Sequence, residues 1–262
     1  MCKTSGRDYP HPADRISALL ARFDPPARVV TVPWRDDAAL QAYYLPPSAA
    51  DPLDGPSADP PSGAPAVICV GETRSKEALF RLMARPVRAR GLALLCVDLG
   101  SPGEAPLRGS IRPETCISAL IDHLADTPGI DQARIAVVGD GSASSLVARG
   151  VAADGRAAAA VCDGGLWESW AGDLAPPSPM LLAGAPAPFG LAMPCPTLIP
   201  LRPHDGIDPS YARELLSHRP ARRSDDKAPD RIDLGTDLAA ESGPWIEPIL
   251  DWVRDRLCGP GR

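Results

Sequence analysis

Two spacings of apolar residues run through this chain, one of helices and one of strands. In residues 13–23, Ile16, Leu19, Leu20 and Phe23 recur at helical intervals, which predicts a short amphipathic helix ahead of the core. The stretch RVVTVPWRDDAALQAYYLPP then predicts two strands, 28–35 and 39–45, turned at Asp36 and Asp37 into a leading antiparallel hairpin. From Pro46 to Pro65 the composition shifts to Pro, Ser, Ala, Asp and Gly, which cannot bury enough apolar surface to order itself well. A mobile surface loop is expected there. It is not read as a domain boundary, because the hairpin alone has too little core to stand apart.

Beyond Ala66 short apolar runs alternate with helical segments. The predicted strands are 66–71, 92–100, 134–139, 156–165, 196–202 and 230–235; the predicted helices are 75–90, 113–126, 142–153, 209–217 and 245–257. Pro86 falls inside the first of these helices and is expected to kink or shorten it. Continuous apolar strands joined by helical crossovers imply an α/β fold, a largely parallel sheet covered on both faces. Residues 28–258 are therefore expected to form a single α/β domain behind a tail and short helix at 1–27, a size ordinary for one core. In such sheets chemistry gathers at the C-terminal ends of the strands.

Composition narrows the classes of partner. The formal charge of −6 argues against a broad nucleic-acid footprint, which needs concentrated Lys and Arg; HRPARR, 218–223, reads as a solvated loop. No apolar run reaches the length of a membrane span and the N-terminus carries no secretory signal, so a cytoplasmic protein without membrane contact is expected. The seven cysteines lie far apart with no CxxC pair and no His-rich spacing; they predict free thiols and no metal site, and no cofactor is expected. Cys69, Cys96 and Cys162 lie in apolar runs, where Cys packs as a small hydrophobe.

Four stretches carry a family resemblance. PAVICVGETRSKEALF (65–80), with Gly71, Lys76 and Glu77, VDLGSPGE (97–104), with Asp98, Gly103 and Glu104, RIAVVGDGSAS (134–144) and PTLIPLRPHD (196–205) together resemble the α/β-hydrolase superfamily. Within it they are most similar to the branch of 2,6-dihydropseudooxynicotine hydrolase and its esterase-like relatives, and more distantly to dienelactone hydrolases. The resemblance spans about residues 28–257 and implies an α/β-hydrolase fold acting on an ester or C–C bond of a small molecule.

The residues depart from that family where its chemistry resides. A serine hydrolase of this fold presents its nucleophile on a strand–turn–helix elbow, with small residues two positions to either side. Gly139 takes the first small position and Ala143 the second, so Gly141 falls where the nucleophile belongs and Ser142 comes one residue late. By resemblance, the backbone N–H groups of Ser142 and Glu72 are oxyanion-hole-like, and Asp205 holds the position of the acid, with Asp163 a second candidate. The histidines are His11, His123, His204 and His218, none after Arg231; where the family carries its base this chain has Thr236 and Asp237. Without a base a neutral hydroxyl is a poor nucleophile.

The expectation is a hydrolase-like protein with a degenerate elbow, a pseudo-hydrolase binding a small-molecule ligand or a partner, with Trp167 and Trp170 as candidate walls of an apolar pocket. The stretch 168–194 is short for a cap, so little or no lid is expected. The alternative is an active hydrolase using Ser142, with Asp205 as acid and His204 as base. Cys69 and Cys162 could serve as nucleophiles only if a positive neighbour depressed their pKa values. A lesser alternative takes Gly139 and Gly141 in GDGSAS as a dinucleotide fingerprint, with Asp163 as the ribose-binding acid.

Overall fold

Which strands lie side by side is settled by crossovers that no linear pattern states. The computed structural model describes residues 12–35, 38–48, 63–71, 74–99, 112–141, 143–163, 193–200, 232–235 and 246–259. Helix α1 (Pro12–Leu20) leads into β1 (Arg28–Pro33) and β2 (Ala39–Leu45). Then follow β3 (Ala64–Gly71), α2 (Lys76–Ala89), β4 (Ala93–Asp98), α3 (Thr115–Ala125), β5 (Ile130–Asp140), α4 (Ala143–Asp154) and β6 (Ala159–Asp163). Among the described residues, β7 (Thr197–Pro200), β8 (Ile232–Gly235) and a last helix, α5 (Ile246–Cys258), follow.

The strands make one eight-stranded sheet in the order β1-β2-β4-β3-β5-β6-β7-β8. β2 is antiparallel to both β1 and β4 and every other pairing is parallel, so seven strands share one direction. Alternation along each central strand sends side chains to two separate cores. Ile68, Val70, Leu95, Val97 and Val137 pack on one face with Ile117, Leu120, Leu146 and Val147 of α3 and α4. On the other face, Val67, Leu94 and Val138 meet Leu79, Phe80 and Met83 of α2 and Ile249, Leu250 and Val253 of α5. Burial on both faces is why these strands read as unbroken apolar runs.

Several boundaries move for identifiable reasons. α1 stops at Leu20, yet Phe23 still packs edge-on against Phe80, with ring centroids 5.6 Å apart. β1 ends at Pro33: the Trp34 indole N–H donates to Thr115 Oγ1 (3.0 Å), and Arg35 takes a φ of 67°. β3 starts at Ala64, inside the stretch expected to be loop, because the Ala64 N–H donates to the Gly129 carbonyl (2.8 Å) and Ala64 registers with Ile130. The same pairing starts β5 at Ile130, four residues before the apolar run.

Pro86 does not shorten its helix; α2 continues to Ala89. The proline forgoes a single backbone bond, and burial of Leu79, Phe80, Met83, Ala84 and Val87 holds the segment helical. The expected turn at Asp36 and Asp37, most of the Pro-rich stretch, the helix at 209–217 and the lid region at 168–192 lie outside the described residues.

Candidate functional site

Parallel strands that end together place their last residues in one row. Gly71 registers with Asp98 of β4 on one side and Asp140 of β5 on the other, and Asp140 registers with Asp163 of β6. Asp140 lies two residues beyond Val138 and Asp163 two beyond Val161, so both carboxylates share the face covered by α2 and α5. They are 4% and 3% exposed, so two carboxyl groups are withdrawn from water at this edge.

Backbone and side chains of the segment after β3 close over the row. Arg74 forms an ion pair with Asp140, placing a guanidinium against the buried carboxylate. The backbone N–H of Lys76 donates to Asp98 Oδ2 at 2.7 Å, and the Leu99 N–H donates to the Gly71 carbonyl at 2.8 Å. Ser75 caps α2, its hydroxyl accepting from the Ala78 N–H at 3.3 Å. Four chain segments thus meet at the C-terminal edge of the sheet.

The turn between β5 and α4 is built on two glycines with different tasks. Gly141 has a φ of 59°, its N–H donates to the Asp163 carbonyl and its own carbonyl accepts from the Ser144 N–H (3.0 Å). That backbone region costs an L-residue about 1–2 kcal/mol and glycine almost nothing. At Gly139 the constraint is space: a Cβ there would stand 2.7 Å from Ser144 Cα and 2.9 Å from its N. The Ser144 hydroxyl donates to the Gly139 carbonyl at 3.1 Å, fastening the first turn of α4 to the strand.

Of the residues singled out by the sequence, Gly139, Gly141 and Asp163 are brought together at this turn. Ser142, Glu72, Trp167, Trp170, His204, Asp205, Thr236 and Asp237 lie outside the described residues, as do His11 and His218. His123 sits near the C-terminus of α3, at the end of the sheet opposite the carboxylate row. Burial, with the charge of Arg28, lowers its pKa. Cys162 fails the condition set for a nucleophile. Burial pushes its thiol above the ordinary range, and Cys195 and Asp163 push the same way. Among the described residues no cluster of three or more His, Cys, Asp or Glu could hold a metal ion.

Arg74, Asp140 and Asp98 were not assigned to the site by sequence reasoning. Asp140 stands inside GDG, next to Gly141, so its position as the last residue of a strand was a usable signal. Arg74 gave none, since only the strand order β3-β5 brings residues 74 and 140 together.

No family model matches the sequence, and no curated protein matches it. Solved structures do. The 2,6-dihydroxy-pseudo-oxynicotine hydrolase superimposes with a TM-score of 0.62 at 21% identity, over 94% of this chain and 72% of that one. A putative dienelactone hydrolase from Klebsiella pneumoniae subsp. pneumoniae MGH 78578 gives 0.58 at 17% identity, over 87% of this chain and 97% of that one. A bacterial heroin esterase gives 0.57 at 19% identity, over 94% and 89%. At these identities the likeness is one of fold.

Proposed function

We propose that this chain, which has the α/β-hydrolase fold, keeps the ligand crevice of that fold at the C-terminal edge of its sheet without Ser-His-Asp hydrolysis. The observation that carries the proposal is Gly141. It occupies the strand-to-helix turn with a φ of 59°, where the fold's hydrolases expose a nucleophile, and it has no side chain with which to attack. Thr236 and Asp237 standing where the family carries its histidine supports the same reading from the sequence. A small-molecule ligand would lie over the turn, beside the floor formed by Asp98, Asp140 and Asp163 with Arg74.

An active hydrolase using Ser142, Asp205 and His204 is the competing reading, and one experiment separates the two. The purified protein and its Ser142→Ala variant are treated with a fluorophosphonate probe and assayed on a short-chain aryl ester. The expected outcome is no stoichiometric labelling and no difference between the proteins. Labelling of the parent that disappears in Ser142→Ala would establish a nucleophile displaced by one residue. Crevice binding is read separately, as a concentration-dependent rise in Tm with small neutral esters.

The dinucleotide reading gains no support from the topology. A dinucleotide fingerprint sits after the first strand of its parallel unit, whereas GDGSAS follows β5, the third parallel strand in chain order after β3 and β4.

A further inference from the structure

We draw no further inference here: the strongest candidate, the row of carboxylates Asp98, Asp140 and Asp163 with Arg74 along the C-terminal edge of the sheet, belongs to the site already described, and among the described residues nothing beside this acidic cluster points to a ligand.

Discussion

Gly139, near the end of β5, and Gly141, in the turn that follows it, resist substitution for unrelated reasons. At Gly139 an added methyl meets backbone atoms of Ser144, which cannot swing away as a side-chain tip could. Gly139→Ala is therefore expected to lose about 1–3 kcal/mol through displacement of the first turn of α4. At Gly141 the obstacle is the φ of 59°. Gly141→Ala is expected to lose about 1–2 kcal/mol, and Gly141→Asn distinctly less, because Asn visits this region more readily. Urea denaturation of the three variants checks both accounts; equal losses for Ala and Asn at 141 would show that sterics, not backbone conformation, select the glycine. Inspection of the sequence marks both positions as small, and only the dihedral and the contact distances tell the two causes apart.

At the scale of elements, one side chain carries polar contacts that join α2 to α5 beside their apolar packing. Arg90, 10% exposed, donates through Nε to Asp251 Oδ1 (2.9 Å), through Nη1 to the Pro86 carbonyl (3.0 Å) and through Nη2 to the Glu247 carbonyl (3.2 Å). It also pairs with the Glu247 carboxylate at 2.7 Å. Those carboxylates are 44% and 52% exposed, so solvent screens the ionic part, and the two carbonyl bonds and the buried stem supply more of the stabilisation. Arg90→Lys keeps the charge but not the planar fork. It is expected to lower Tm by several degrees, close to Arg90→Ala, with little response to added salt. Full recovery in the lysine variant would assign the junction to charge alone. Element existence was legible here: α2 and α5 both announce an apolar stripe. The helix end was legible too, 90 in the sequence against Ala89 in the structure; what was not legible is that Pro86 leaves the helix unshortened, because the proline rule is local and the packing that overrides it is tertiary.

Across the whole molecule, the two cores enclose most of the described thiols. Cys69, Cys96, Cys116, Cys162 and Cys195 are buried, while Cys258 is partly exposed. In native protein Cys258 is expected to react with N-ethylmaleimide well before these five, which become reactive on unfolding; rapid modification of Cys116 or Cys162 in the folded state would contradict the burial. Burial also sets an alkaline limit. It pushes the Cys116 thiol, helped by Glu114, from 9.0 to about 12, and it raises Cys96 and Cys162 as well. A folded-state pKa raised in this way contributes stability that is complete below the unfolded value and is lost as pH rises toward the folded one. Urea midpoints are therefore expected to fall between pH 9 and about 12, and Cys116→Ala to make that fall shallower. A midpoint independent of pH over the range would remove the thiols from the account.

The sequence by itself determined the layer architecture. Strand-length apolar runs spaced by amphipathic helices can bury their surfaces only as a covered parallel sheet, and the small residues of GDGSAS required a tight strand-to-helix turn. It also placed glycine, not serine, at residue 141. Tertiary structure alone decided the strand order β4-β3-β5-β6, which sets Asp98, Gly71, Asp140 and Asp163 side by side although they are spread over 93 positions of chain. It decided that Arg74 answers the buried charge of Asp140 and that β5 begins at Ile130. Each of these depends on contacts between distant segments, whose free energy comes from burial and pairing in the assembled sheet and leaves no local pattern along the chain.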